Sequence, residues 1–380
     1  MSIQETISDQ RRLPSLLIPL IRGLSLAGQV MSRLSSDKKM QVYYPYRNPL
    51  HTHPFFSRYY DHPPLPYCNV FNPALCHWVN SMPRWMSHVD YVIEPNDHPL
   101  AATAKSEPRD VLNNIEKAAE VYLNQKCKKI CVEGEGQLDL FKRYLPESII
   151  KKTQIVRLGA IPQLVDFDQK RKEIEIPIFL CFASDYKKKA VDILIQAWKE
   201  FSQKSKCQLI LACPNVPTEI ASTFDTENIR LIRKAPLSED DKKELLSIAH
   251  VMVAPLHVDG GANIIEAFEY GLPVITMRSQ RSFVREGNGW EVDVPFYFYD
   301  EGYGKEWPTW SRFWQLVEDA KLERAFDVTV HGLVGVFENI VSAPTKLIEM
   351  GKISHALGNG EFSLKVRNAT LRKIYLDSMR

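Results

Sequence analysis

The segment HVDGGANIIEAFEYGLPVI, residues 257–275, brings a glycine turn, a helix start and a carboxylate together within a few residues. The first N–H groups of a helix have no partner inside it, and the helix dipole adds positive potential there. The amides of Gly260, Gly261 and Ala262 can therefore hold an anion such as a phosphate, with Asn263 beside them. Glu266, one turn further on, can then accept from a hydroxyl of the same ligand. A short lysine run stands at 187–189. The plain alternatives stand beside this reading: two glycines before a helix are common, a helical Glu is usually solvated, and a short lysine run is usually a wet surface.

The elements that must position these groups read clearly. Val251 to Pro255 is a buried strand, Asp259-Gly260-Gly261 turns the chain, and a helix from Ala262 to Tyr270 stops at Gly271-Leu272-Pro273 before a further strand at Val274. Upstream, residues 178–201 give a strand, a lysine-bearing loop and a helix. Gln208 to Cys213 and Ile229 to Ile232 are strands, and Ser238 caps a helix to His250 whose first turn is acidic. Strands alternating with helices call for parallel sheets covered on both faces.

A strand, a glycine loop, a helix reading Glu-Ala-x-x-x-Gly-x-Pro-Val and a second strand resemble the nucleotide-sugar site of retaining GT-B glycosyltransferases (glycosyltransferase family 4-like, glycosyl transferases group 1). Lys189-Ala190-Val191-Asp192 falls where that family has Lys-Gly-Val-Asp, and Val284 to Trp290 falls at its closing glycine turn. The resemblance implies an α/β chain of GT-B architecture, with two Rossmann-like domains whose parallel sheets face an interdomain cleft. It also implies roles: Glu266 on the donor's ribose, the loop amides on the diphosphate and sugar, Lys189 and Lys188 on the phosphates, and the loop around Leu237 against the base. The expected reaction moves a sugar from a nucleotide diphosphate sugar to a hydroxyl acceptor (a glycan, a lipid-linked or a small molecule) with retention. The leaving phosphate takes the acceptor's proton, so no side-chain base, cofactor or metal is expected.

Three positions depart from the family. Its paired glutamates have seven residues between them, but that position is Val258, and the nearest acid, Asp259, has six between. The arginine five positions before the phosphate lysine is Ser184. Asp259 is assigned to the donor sugar, with capping of the helix at Ala262 as its alternative role. The Gly-to-Ala change at Ala190 reads as minor, because a helix start accepts Ala. A GT-B-fold nucleotide-sugar epimerase, or a catalytically silent nucleotide-sugar-binding subunit, is the alternative function.

A chain of 380 residues exceeds the usual size of one core, and 44% hydrophobic residues suffice for two. With 48 basic and 46 acidic residues the net charge is only +2, so no nucleic-acid partner is expected. Seven cysteines without a CxxC pair argue for a reducing compartment and against disulfides or structural zinc, with Cys127 and Cys131 as ordinary buried thiols. The expected place is the cytoplasm, extending to peripheral association with the inner face of the membrane. Leu13 to Leu26 is interrupted by Pro14, Pro19 and Arg22 and is too short to span a bilayer.

That stretch reads instead as a strand near Leu16 to Leu20, a turn at Arg22-Gly23 and a helix from Leu24 to Leu34, with the next strand at Met40 to Tyr44. This puts Gly23 where the family has a cleft-facing glycine loop. Residues 45–87, rich in Pro, His and aromatics, read as irregular. In that stretch His77, Trp78 and Trp85 either stack on an acceptor sugar or fill a loop-rich core. Val89 to Ile93 is a strand ending in Glu94-Pro95-Asn96-Asp97-His98, and the resemblance assigns His98 to the donor sugar. A helix from Arg109 to Gln125, a strand from Lys129 to Val132, a helix from Leu138 to Tyr144 and a strand from Gln154 to Leu158 complete this half. The last helix, Ser363 to Ser378, carries Leu364, Val366, Leu371, Ile374 and Tyr375 as its apolar stripe. The domains expected are 1–162 on the acceptor side, 163–345 on the donor side, and 346–380 crossing back as helix.

Overall fold

A computed structural model describes residues 42–43, 75–79, 89–95, 119–174, 176–202, 206–224, 228–234, 236–255, 261–278, 283–296 and 310–379. The first sheet consists of parallel strands in the order β1-β2-β3-β4-β5: Val42–Tyr43, Leu75–Val79, Tyr91–Glu94, Cys127–Val132 and Thr153–Ile155. Helices α1 (Glu135–Tyr144) and α2 (Glu147–Ile150) follow β4. The expected elements between Leu16 and Leu34, and most of the helix from Arg109, lie outside the described residues.

The second sheet contains β6 (Ile178–Phe182), β7 (Gln208–Ala212), β8 (Ile229–Ile232), β9 (Val251–Ala254), β10 (Val274–Met277) and β11 (Gly289–Val292). All pair in parallel, in the order β11-β10-β9-β6-β7-β8. Counted within the sheet this is 3-2-1-4-5-6 read from β8, the doubly wound order. The helices around it are α3 (Phe167–Glu173), α4 (Val191–Ser202), α5 (Thr218–Ala221), α6 (Glu239–Ile248) and α7 (Ala262–Glu269). They are followed by α8 (Trp310–Leu322), α9 (Asp327–Ser342), α10 (Lys346–Asn359) and α11 (Leu364–Ser378).

Strands buried on both faces favour apolar residues throughout, as in β9 (VMVA); β10 (VITM) follows this except at Thr276, whose hydroxyl donates to the Met277 carbonyl at 3.0 Å. One face of the second sheet is packed by Phe179, Trp198, Phe201 and Phe337, whose rings meet edge-on or tilted with centroids 5.1 to 5.5 Å apart along the chain Phe179–Trp198–Phe337–Phe201. Its other face carries Leu180, Ile210 and Met252 against Leu245 and Leu246 of α6 and Ile264, Ile265 and Phe268 of α7.

The strand Leu75–Val79 corrects the expectation of an irregular 45–87. Its sequence, LCHWV, gives no alternation because both faces are covered, and the polar ring of His77 hides the apolar run. His77 and Trp78 are buried, which leaves no ring face for an acceptor sugar. Trp85 lies outside the described residues.

His77 Nδ1 lies 2.7 Å from the Tyr375 hydroxyl of α11, and Nε2 lies 3.4 Å from Glu94. Burial is the largest influence on the His77 ring and holds its pKa below the ordinary 6.5, against the pull of Glu94. The neutral ring then keeps its proton on Nε2, toward the carboxylate, and accepts from Tyr375 at Nδ1. Arg367 of α11 completes the group, its Nη2 donating to both Glu94 oxygens at 2.7 and 2.9 Å. The buried face of α11 is therefore Arg367, Leu371, Ile374, Tyr375 and Ser378, while Val366 is 45% exposed, contrary to the stripe read from sequence. The stripe holds at Leu371, Ile374 and Tyr375 and fails at Val366, because a paired arginine, Arg367, takes the neighbouring inward position.

The chain runs between the two sheets beside α11. Ala160 donates its N–H to Phe362 O at 2.6 Å and accepts from Leu364 N at 2.9 Å. Arg157 pairs with Glu135 and, at 2.6 Å, with Glu361; Arg285 reaches the same Glu361 at 2.8 Å. Both guanidinium groups stand over the Phe362 ring, at 5.2 and 5.5 Å from its centroid. The six described cysteines are buried and none is in a disulfide, and burial pushes the Cys127 thiol up to about 12 and Cys213 up to about 11, as inert structural thiols require.

Candidate functional site

In a doubly wound sheet, ligands bind outside the carboxyl ends of the strands where the winding reverses. Here that point lies between β6 and β9, the neighbours from which the sheet is wound in opposite directions. Ser184, Lys188 and Lys189 are on the loop leaving β6, and Gly261, Ala262, Asn263 and Glu266 open α7 after β9. Asn263 joins the two loops, its side-chain amide donating to Phe182 O at 2.8 Å. Asp259, Gly260, His98 and Gly23 lie outside the described residues.

The β6–α4 loop is ordered by groups the sequence reading did not single out. Asp185 accepts from Lys188 N at 2.8 Å through its side chain and from Lys189 N at 3.1 Å through its carbonyl. Asn215, at the end of β7, accepts from Tyr186 N at 2.9 Å. A polar residue at a strand's carboxyl end was the available signal for Asn215. Ser184 is exposed, Lys188 and Lys189 are half-buried, and Lys187 lies at the surface, 3.8 Å from Glu318.

Ala190 corrects the sequence reading. It ends this loop at φ +49°, in the left-handed region that Gly enters freely and an L side chain enters with strain. The change from the family's Gly is therefore a strained one, fixed by a fully buried methyl and by the bond from Ala190 N to Lys187 O.

Gly261 has an ordinary helical φ of −74°, so backbone freedom is not what requires it. A Cβ at this position would lie 2.5 Å from Phe283 Cζ and 3.0 Å from Leu158 Cδ1. The absent side chain lets Phe283 pack under the start of α7. Gly271, at φ +61°, ends the same helix.

Glu266 is fully buried, where an unguided helical Glu would be solvated. Lys242 of α6 donates to its Oε1 at 3.1 Å. The α6 start is held by a capping box between Ser238 and Asp241, with Asp241 also paired to Lys234. The bonds from Lys234 and Ser238 hold the Asp241 carboxyl down at about 2. Leu237, in the loop before α6, packs on the same apolar layer as Ile264 and Ile265 of α7. Lys242 was missed because its partner is 24 residues away in sequence.

Residues 176–295 match the family model described as Glycosyl transferases group 1. That span holds less than half of the chain but all of the described residues just named on these loops, apart from Leu158 and Glu318. No curated protein matches the chain in sequence. Among solved structures, the chain resembles Anabaena HepE in complex with UDP and glucose at 12% identity and a TM-score of 0.53, covering 79% of this chain and 77% of that one. WaaG, a glycosyltransferase involved in lipopolysaccharide biosynthesis, is 14% identical with a TM-score of 0.52 over 77% of each chain. Sucrose-phosphate synthase from Thermosynechococcus elongatus is 14% identical with a TM-score of 0.54, covering 81% and 74%. The fold is that of GT-B glycosyltransferases.

Among the described residues no three His, Cys, Asp or Glu side chains gather as a metal centre would need. No helix among them is long and apolar enough to cross a membrane.

Proposed function

We propose that this chain is a glycosyltransferase that moves a sugar from a nucleotide diphosphate sugar to a hydroxyl acceptor, with retention at the anomeric carbon. The observation that carries the reading is the coincidence of the group 1 match, residues 176–295, with the switch point of a doubly wound sheet. In this reading Glu266 accepts from the ribose hydroxyls and the base lies by Leu237. The amides of Gly260, Gly261 and Ala262, with Lys188 and Lys189, hold the diphosphate. Positive charge and aligned amides stabilise a leaving diphosphate more as its bond to the sugar lengthens, which accelerates the step without a metal. The departing phosphate oxygen takes the acceptor's proton. Asp259 and His98 address the donor sugar, Gly23 faces the cleft, and Asn263 and Ser184 border the phosphates.

The donor side is assigned to residues 163–345 and the acceptor side to 1–162, with 346–380 crossing back; the bonds of Arg367 and Tyr375 to Glu94 and His77 support that last assignment. The test is a thermal-shift screen with UDP-, GDP-, ADP- and dTDP-sugars. A ligand at one hundred times its dissociation constant adds about 2.7 kcal/mol of stability. At least one donor should raise the melting temperature of the wild type and do so much less for Glu266→Gln. A wild-type melt unmoved by all four would reject the reading.

A further inference from the structure

The Glu266 carboxylate is fully buried, and the Nζ of Lys242 stands 3.1 Å from its Oε1 on a side chain that is itself only 17% exposed. A carboxylate removed from water without a counter-charge escapes the cost by taking up a proton, which turns one of its acceptors into a donor. A vicinal diol presents two O–H donors, so the group that binds it needs a carboxylate in its ionised form. We propose that Lys242 is the positioning residue of the ribose site: it keeps Glu266 ionised and turned so that the carboxylate accepts from the 2′ and 3′ hydroxyls of a nucleotide. This rests on the reading of Glu266 given above.

The surroundings of Lys242 are built for a fixed placement. Its Nζ lies 6.0 Å from the centroid of the Phe182 ring, at the end of β6, and the Phe182 carbonyl in turn takes the Asn263 amide from the first turn of α7. Its neighbour Asp241 closes the capping box with Ser238 and pairs with Lys234. Residues 236–242, tied by that box and by the Lys234–Asp241 pair, thus carry Leu237 near one end and the ammonium group at the other. Base contact and ribose contact are set by a single loop-to-helix junction.

The experiment compares calorimetric binding of UDP, GDP and ADP with that of their 2′-deoxy counterparts. The proteins are wild type, Glu266→Gln, Lys242→Met, Lys242→Gln and Lys242→Arg, each checked for folding by circular dichroism. For a nucleotide that the wild type binds, its preference for the ribose form should collapse by roughly tenfold or more in Glu266→Gln and in both neutral Lys242 variants. Lys242→Arg should restore most of it, which a merely structural role would not predict. If Glu266→Gln loses the preference while a folded neutral Lys242 variant keeps it, the role of Lys242 is overturned and the ribose reading stands. If the wild type binds none of the three, or Glu266→Gln keeps the preference, the ribose reading itself fails.

Discussion

Replacing Arg367 by Met should destabilise the protein far more than an ordinary helix substitution. Arg367 Nη2 donates to both oxygens of Glu94 at 2.7 and 2.9 Å, and Nη1 donates to the carbonyls of Arg157 and Val156 at 3.0 and 3.3 Å. Both side chains of the ion pair are at most 1% exposed, so water does not replace what is lost. Removing one partner of such a pair costs about 3–5 kcal/mol. That is a fall on the order of 10 °C if the melting unit has 150–250 residues. The double variant Glu94→Leu/Arg367→Met should cost clearly less than the sum of the singles, with a coupling of about 2 kcal/mol. The same network fixes the response to acid. Burial pushes the Glu94 carboxyl up, but the Arg367 charge and the bonds from His77 and Arg367 outweigh it and hold the pKa below the ordinary 4.5. Both groups, with folded pKa values below their unfolded ones, bind protons more readily when unfolded, so their stabilisation is present at higher pH and is lost on acidification. The His77 contribution is complete above 6.5 and erodes as the pH falls below it; that of Glu94 is complete above 4.5 and is lost as the pH falls further. Urea denaturation of wild type and variants at pH 7.5, 5.5 and 4 measures both effects. A folded Arg367→Met protein within about 1 kcal/mol of wild type, or fully additive singles, would refute the reasoning.

Gly261→Ala should cost about 1–3 kcal/mol by forcing its methyl against Phe283, and adding Phe283→Leu should recover part of it in the same denaturation assay. Ala190→Gly relieves backbone strain but loses a buried methyl, so it should stay within about 1 kcal/mol of wild type, whereas β-branched Ala190→Val should cost about 2 kcal/mol or more. Lys189→Ala should lower kcat more than it raises KM, because charge on the leaving diphosphate grows toward the transition state; steady-state kinetics showing a raised KM at constant kcat would make Lys189 a plain binding residue. Asp259→Asn should cut transfer while leaving binding of the bare nucleotide diphosphate intact if it meets the donor sugar, and should change neither if it only caps α7, since Asn caps about as well as Asp.

The second sheet was legible because its strands are apolar runs bounded by Gly, Pro and capping residues: Ile229–Ile232 appears with the bounds read from sequence, and Ser238 caps α6 as expected. The loop after β6 and the start of α7 could be placed for the same reason, since each directly borders an apolar strand or an amphipathic helix. What stayed hidden was set by partners distant along the chain. Glu94 reads as the polar end of a strand and His77 as a loop ring, Arg367 falls outside the apolar stripe of its helix, and only the fold shows that the three share one buried network across 273 and 298 residues of sequence separation. The left-handed backbone at Ala190 was hidden as well, because Ala carries no mark of a positive φ.

The central claim, sugar transfer from a nucleotide diphosphate sugar gripped at the β6 and β9 loops, is tested most directly by following free nucleoside diphosphate. Wild type, Glu266→Gln and Lys189→Ala are each incubated with UDP-, GDP-, ADP- and dTDP-sugars and a pool of hydroxyl acceptors. The account predicts acceptor-dependent release of one nucleoside diphosphate by the wild type, with a product of retained anomeric configuration and a rate reduced roughly tenfold or more in both variants. Release unaffected by either substitution, no release from any donor, or an epimer formed from donor alone would contradict it.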